Sequence, residues 1–469
     1  MALRSKVLLV NPPTPDQRKF TRNADCAAES KGNYLWQPYD FLLLSGAFSE
    51  NVDIEFIDYG VHKFNETQFV DKLKNTNLII TSIVEVLWDN DLEFLFKLRA
   101  LAPQIPILCF GDILIEDQPS FEVLKIVDGI IPNPMSVNFS VLKTYSRDEF
   151  LEKSNFIGLR NSTTFKNIEK KSVTGYFRNP KHELFLDKKY RWPFATYKQY
   201  STVTTSWGCP YSCTYCTGFS LPSIYRPYPE IIAEMRKIKK LGVKEIYFSD
   251  KSFGIPQENT TLILKEMIKN EFKFSWSTYL HPNQFTENFL DLMKSAGCHT
   301  IIIGIETLNF AALRKMGRVI NEKKLFELID YANKIKINIC GDFIIGLPEE
   351  KVADILSNIN FAINLNIQYA SFNIATPLPG TSIKKLAIEQ GRMQQNDHNF
   401  DSTGYNKIIN GDQLTQEELI HFRNYAVKKF YLRPNYIFKR LLSLRGLEHF
   451  FIQFEEMMSL LMKTILKLR

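Results

Sequence analysis

Three cysteines fall within eight residues, in the segment Ser206-Trp207-Gly208-Cys209-Pro210-Tyr211-Ser212-Cys213-Thr214-Tyr215-Cys216. Their spacing is C-x3-C-x2-C. A loop that short can lay three thiolates against one face of an iron–sulfur cubane, and Gly208 and Pro210 suit the tight turns it needs. A [4Fe–4S] cluster normally takes four thiolates. Three leave one iron open to a substrate or cofactor, and an open position marks a metal centre that does chemistry. The alternatives are a structural zinc site or plain burial. Zinc loops pair one CxxC with a second pair or with histidines, whereas the next cysteine here is Cys298.

The other cysteines read differently. Seven in 469 residues, an odd and sparse set, make no disulfide framework. Cys109, Cys298 and Cys340 lie in or beside apolar runs and read as core, while Cys26 sits in a polar stretch and stays unassigned. With 45% hydrophobic and 23% charged residues, the chain has the composition of a globular protein, which excludes wholesale disorder. No apolar run approaches the ~20 residues that span a bilayer. Residues 1–10 end at Asn11-Pro12-Pro13 with no small-residue cleavage site, and read as a first strand and not a signal peptide. The expected location is cytoplasmic.

Elements that could position the cysteine loop follow from hydrophobic runs. Residues 7–10, 54–57, 78–82, 107–111 and 129–131 are short strand candidates, with helical stretches at 41–48 and 92–100. The alternation predicts a flavodoxin-like parallel sheet over residues 1–145, with ligands at the C-terminal strand edge. Residues 146–200 lack clean periodicity and read as a linker. Residues 201–400 hold a second series, with strands at 201–205, 245–249, 273–277, 300–304, 338–345 and 369–375. Helices between them, at 230–241, 259–270, 287–296, 322–335 and 351–365, predict an α/β fold of six βα units, a complete or partial barrel, with chemistry at the C-terminal strand ends. Residues 401–469 read as a helical basic segment, and no internal repeat is visible.

The cysteine spacing after a first barrel strand resembles the radical SAM superfamily. Other segments fit the same likeness. Gly304-Ile305-Glu306-Thr307 is similar to the segment whose acid hydrogen-bonds the ribose of S-adenosylmethionine (SAM). Phe343-Ile344-Ile345-Gly346-Leu347-Pro348 and Pro377-Leu378-Pro379-Gly380-Thr381 are similar to strand ends of that family. The resemblance covers about residues 200–395. It implies a [4Fe–4S] cluster on Cys209, Cys213 and Cys216, with Tyr215 packing on the SAM adenine. It further implies reductive cleavage of SAM to methionine and a 5′-deoxyadenosyl radical, with a flavodoxin- or ferredoxin-type protein as external electron donor. At the second strand end the family often carries an acidic pair for the SAM amino group. Here one acid, Asp250, remains, with Ser249 to share the work, or Asp250 caps the next loop. After the third strand an Arg of many relatives is absent, and Tyr279 or His281 lines the pocket or packs.

The first domain resembles the cobalamin-binding class of that superfamily, starting with the opening Val7-Leu8-Leu9-Val10-Asn11-Pro12-Pro13. The cobalt-ligating pattern Asp-x-His-x-x-Gly is absent, and His62, wrongly spaced from Asp58, reads as a surface residue. The glycine-rich turns of relatives are replaced by Phe110-Gly111-Asp112-Ile113 and Pro132-Asn133-Pro134-Met135. Asn11, Thr81 and Ser82 remain as cobalamin contacts. The resemblance points to a cobalamin-dependent C-methyltransferase acting on a small or lipid-linked molecule. The alternatives are a non-methylating radical SAM cyclase or oxidoreductase with a degenerate cobalamin domain, or an iron–sulfur scaffold without turnover.

Net charge is +7, and residues 421–469, with ten Lys/Arg against three Asp/Glu, account for all of it. This tail has apolar residues at helical spacing. The expectation is that it docks on the protein with its basic face outward; the alternative is peripheral contact with an anionic inner membrane surface. Nothing beyond charge argues for nucleic acid.

Overall fold

The computed structural model describes residues 5–15, 19–22, 34–131, 134, 139, 158–159, 180–220, 223–411, 413–442 and 446–465. Cys26 lies outside them. The first sheet runs β2-β1-β3-β4-β5-β6, with β1 Lys6–Asn11, β2 Asp53–Asp58, β3 Thr76–Ser82, β4 Ile107–Phe110, β5 Gly129–Ile130 and β6 Gly158–Leu159. The first five strands pair in parallel and β6 closes the edge antiparallel. Apolar clusters cover both faces, one with Leu8, Val10, Ile79 and Ile107, the other with Val7, Leu9, Ile80 and Leu108. Burial on both sides explains why these strands read as unbroken apolar runs. β6 falls in the stretch that the sequence reads as a linker, so that stretch contributes to the first sheet.

The second sheet runs β7-β10-β11-β12-β13-β14, all parallel, from β7 Tyr200–Val203 through β10 Glu245–Phe248, β11 Ser275–Tyr279, β12 Cys298–Glu306 and β13 Asn338–Ile345 to β14 Tyr369–Ile374. A two-stranded ribbon, β8 Ser206–Trp207 with β9 Ile224–Tyr225, flanks the cysteine loop. This is the partial six-unit barrel. The first strand begins one residue and ends two residues early, and the third is displaced by two residues from its expected place. Its polar alternation Ser275-Trp276-Ser277-Thr278-Tyr279 offers no apolar run to mark its limits.

Period-two alternation splits each strand. Phe248, Trp276, Ile301, Ile339 and Phe372 join the helices in the outer core. Tyr200, Tyr247, Ile302 and Cys340 point into the bore, where they meet Leu35 and Trp192. Trp192 stacks on Tyr247 with ring centroids 3.7 Å apart and donates from Nε1 to Ser277 Oγ at 2.7 Å. The lower bore is thus filled by the segment that precedes the first barrel strand. Cys109, Cys298 and Cys340 are buried, as expected of core cysteines.

Several contacts join the domains. The Gln37 amide donates to the carbonyls of Phe185 and Tyr200 and accepts from Thr202 N–H. Glu116 accepts from Gly380 N–H at 3.0 Å and pairs with Lys384 at 2.6 Å. His398 stacks on Trp88 and bonds Glu85, beside Asn399–Asp89 and Asn406–Val86 hydrogen bonds.

The tail corrects one expectation. Its first turns do dock: Phe430 is fully buried, and Tyr431 exchanges hydrogen bonds with the Ala370 backbone. Yet Arg433 lies over Phe430 at 4.5 Å and Arg440 over Tyr369 at 4.7 Å, so these two cations turn inward while Lys439 stays exposed. Apolar Phe438 and Leu442 turn outward, 62% and 73% exposed. Aromatic faces and backbone carbonyls at the barrel edge attract guanidinium groups more than they attract further alkyl chains.

Candidate functional site

The cysteine loop leaves the ribbon strand β8 through Gly208, whose φ of +74° an L side chain would resist. It is held from several directions. Asp250, 1% exposed, accepts at Oδ1 from Thr205 Oγ1 and Ser206 Oγ, both at 2.6 Å, and at Oδ2 from Thr205 N–H at 3.2 Å. Its carboxylate thus anchors the root of the cysteine loop. Ser249 likewise bonds Thr204 Oγ1 at 2.6 Å. On the far side, Thr214 N–H donates to the Met316 carbonyl at 2.9 Å, and a Cβ on Gly317 would lie 2.3 Å from the Ser212 carbonyl. The turn 316–318 therefore clamps the loop, and only glycine fits at 317.

Cys209 and Cys216 flank Gly218, where a Cβ would stand 3.4 Å from Cys209 Cβ and from Cys216 Sγ. Gly218 N–H donates to Cys216 Sγ at 3.4 Å. Cys213 is reached from the other side by Arg318, whose NH1 lies 3.8 Å from Sγ. Burial pushes the Cys209 thiol up and the Cys216 thiol up to about 11, while Lys251 and Arg318 oppose this for Cys209, as Lys251 does for Cys216. Loading a metal centre must therefore displace protons, and the two cations favour the thiolates that result. Among the described residues, no three His, Cys, Asp or Glu side chains are gathered as a single ion would require. A cubane presents its irons at separate corners, and three separated thiols flanked by cations fit that group and its negative charge.

Glu306 ends β12 in the left-handed region, at φ +65°, beside a register shift between Gly304 and Glu306. A non-glycine residue held there is strained backbone, and such strain concentrates at sites that need a side chain aimed. A Cβ on Gly304 would lie 2.3 Å from Glu306 Oε1 and 2.7 Å from Arg318 NH2. Glycine at 304 thus makes room for the pair. Arg318 Nε lies 3.6 Å from Glu306 Oε1, and its NH2 donates to the Gly304 carbonyl. Burial raises the Glu306 carboxyl against the pull of Arg318. Tyr215 lies beside Glu306, and its phenol is raised by burial and by the Glu306 charge.

His281 stacks on Tyr211 of the cysteine loop, centroids 4.0 Å apart. Its Nδ1 accepts from Asn283 N–H at 3.2 Å, which puts the proton on Nε2, a buried donor without a partner. Burial, helped by Arg318, pushes its pKa down to about 3, so the ring stays neutral.

The two loops that carry Glu306 and Gly346 are tied by one network. Glu350 accepts from Gly346 N–H at 2.6 Å and from Asn358 Nδ2 at 2.9 Å, and Asn358 accepts from Leu308 N–H at 2.7 Å. Burial raises the Glu350 carboxyl to about 7 from its ordinary 4.5. The folded protein then holds a proton there that the unfolded chain has lost. This contribution to stability is full below about pH 4.5 and is lost as pH rises through about 7. Chemical denaturation at several pH values should show that fall, and Glu350→Gln should flatten it. An identical slope in the variant would assign the pH dependence elsewhere.

Between the domains, at the C-terminal edge of the first sheet, a cleft partly open to solvent is lined by Arg22, Ser82, Phe110, Gly111, Trp207 and Thr217 among others. Ser82 Oγ and Trp207 Nε1 are buried there without partners. Phe110 forms part of the floor, its ring edge-on to Phe41. Thr81, by contrast, donates to the Val10 carbonyl at 2.9 Å, and Asn11 donates to Asp58, leaving its own Oδ1 unpartnered. His62 is an exposed residue paired with Asp187.

Arg318, Lys251, Glu350 and the clamp at Gly317 were not legible in the sequence. The signal for Arg318 and Gly317 is the tripeptide Met316-Gly317-Arg318, a glycine and a cation soon after Glu306. No periodicity singles it out.

Residues 203–362 match the radical SAM superfamily. An uncharacterized methyltransferase of Pyrococcus horikoshii is 29% identical over 272 residues, covering 57% of this chain and 58% of that protein. The chain spans about half the length of the curated relatives it matches. Among solved structures, the radical S-adenosylmethionine methyltransferase TsrM from Kitasatospora setae, with cobalamin and a [4Fe–4S] cluster bound, superposes with a TM-score of 0.62 at 14% identity, covering 83% of this chain and 78% of that one. The cobalamin-dependent S-adenosylmethionine radical enzyme OxsB gives 0.64 at 14% identity, covering 98% of this chain and 72% of that one. At that identity the likeness establishes the fold.

Proposed function

We propose that this chain, which carries a radical SAM domain over residues 203–362, is a radical SAM enzyme that methylates an unactivated carbon. In this reading Cys209, Cys213 and Cys216 hold a [4Fe–4S] cluster, Glu306 takes the SAM ribose, and cobalamin lies in the interdomain cleft. One observation carries it: Trp207 and Thr217, which bracket the three cysteines, wall the same cleft as Ser82 and Gly111 at the edge of the first sheet. The two cofactor sites thereby share a wall. When bound, the cluster supplies the electron that breaks a SAM sulfur–carbon bond, and the corrin carries the methyl group.

The chain's own residues do the rest. The Glu306 carboxylate accepts from ribose hydroxyls, held in place by Arg318 and by the strained turn. Lys251 and Arg318 offset the negative charge of the thiolates. Ser82 Oγ and Trp207 Nε1 offer hydrogen bonds into the cleft. The Trp192 plug shuts the lower bore against water. A flavodoxin- or ferredoxin-type protein supplies the electron, and the substrate is a small or lipid-linked molecule.

Phe110 favours a second reading, since it places a bulky ring in the floor where a corrin approaches. That reading is a radical SAM cyclase or oxidoreductase without methyl transfer. Anaerobically reconstituted full-length protein, given SAM, reductant and hydroxocobalamin, separates the two. Retained corrin with S-adenosylhomocysteine beside 5′-deoxyadenosine is the expected result. 5′-Deoxyadenosine without the other two supports the second reading, and no SAM turnover at all removes both.

A further inference from the structure

Over residues 450–459 the helix Gly446–Ile465 turns a row of apolar side chains to solvent. Phe450, Phe451, Phe454, Met457 and Met458 are 38–53% exposed, and their spacing of one, four, seven and eight residues draws a single stripe. Phe450 stacks on Phe454 within it. On the opposite side, Ile452 is 4% exposed and Gln453 bonds Arg440. Over this stretch the helix therefore meets the protein through Ile452 and Gln453. The preceding helix Pro434–Leu442 adds Ile437, Phe438 and Leu442 to the exposed apolar set. A stripe of this size on a folded chain marks an interaction surface.

Charge decides what meets it. Lys428, Lys429 and Lys439 are exposed on the two helices before it, and residues 421–469 carry the whole net +7 of the protein. Glu455 at the margin of the stripe is an exposed acid there. A second copy of the chain would bring two such positive segments together, which their repulsion opposes. An anionic lipid surface satisfies both features, taking the apolar stripe into its acyl boundary and the lysines into its headgroups. No described helix is long and apolar enough to cross a membrane, so the contact lies in the interface plane. We propose that the two C-terminal helices dock this protein on an anionic bilayer.

The test is co-sedimentation of the full-length protein with vesicles. It should bind phosphatidylglycerol/phosphatidylcholine vesicles, and bind pure phosphatidylcholine vesicles roughly tenfold or more weakly. The variant Phe451→Ser/Phe454→Ser/Met458→Ser should lose that binding with its circular dichroism and melting temperature intact, because the replaced side chains face outward. Lys428→Gln/Lys429→Gln/Lys439→Gln should weaken it while leaving the helices alone. Wild-type protein that ignores anionic vesicles overturns the proposal, as does a serine variant that still binds them. A concentration-dependent dimer that the serine variant abolishes, in protein that does not bind vesicles, would identify a second copy as the occupant instead.

Discussion

Cys213→Ala protein, reconstituted anaerobically with iron and sulfide, should lack the broad visible absorption of a cubane and release no 5′-deoxyadenosine from SAM. Cys213 is the most deeply buried of the three thiols that occupy the loop, and Arg318 NH1 lies 3.8 Å from its sulfur. Removing it leaves two thiolates for a group that needs at least three from this loop, and leaves a buried guanidinium without one of its partners. Cys340→Ala is the matched control. That residue faces the aromatic bore and should keep both the spectrum and turnover, at the cost in stability of a small cavity. A full cluster in the Cys213 variant would move the ligand set to other side chains. Zinc should not restore activity, since it carries no electron.

Arg318→Met should be the most destabilising single change at the mouth of the barrel. The guanidinium is almost wholly buried, pairs with Glu306 and donates to the Gly304 carbonyl. Taking one partner from a buried pair strands the other charge, a loss of about 3–5 kcal/mol in comparable sites. Urea denaturation should show a loss on that scale, and SAM binding should weaken with it because Glu306 is no longer aimed. Adding Glu306→Gln to Arg318→Met should recover a good part of the stability, since no buried charge is then left alone, without recovering SAM binding. If the double variant is as unstable as the sum of the two single changes, the pair is not coupled, and Arg318 acts through Cys213 and the backbone instead.

The strands that build this mouth were legible because parallel strands buried on both faces have to be apolar throughout. Val7-Leu8-Leu9-Val10 and Thr300-Ile301-Ile302-Ile303 leave no other reading. β11 escaped by two residues because its inward face carries Ser275, Ser277 and Tyr279, so no run marked its start. The cysteines and Glu306 were legible from spacing and from family likeness. Their supports were not. Arg318 meets Glu306 only after β12 bends at Gly304, and Glu350 meets Asn358 across the first two turns of the helix Val352–Asn364, which many sequences could form. Asp250 was legible as an acid at a strand end, yet its neighbours decided its role. Two hydroxyls at 2.6 Å claim one of its oxygens, and the Thr205 backbone claims the other.

Gln37 carries a consequence for how this molecule can be divided. β7 is an outermost strand, bonded to β10 on one side only. On its free side the Gln37 amide donates to the Tyr200 carbonyl at 3.0 Å and accepts from Thr202 N–H at 2.9 Å. That is the pattern of one peptide unit in a neighbouring strand, supplied by a side chain of the other domain. Cutting the chain ahead of β7 would uncover these main-chain groups together with the Tyr200 and Tyr247 rings on which Trp192 packs. A raw strand margin flanked by aromatic surface invites pairing with a stranger. The barrel is therefore no transplantable module: fragments that begin at β7 should precipitate where the intact chain stays dissolved.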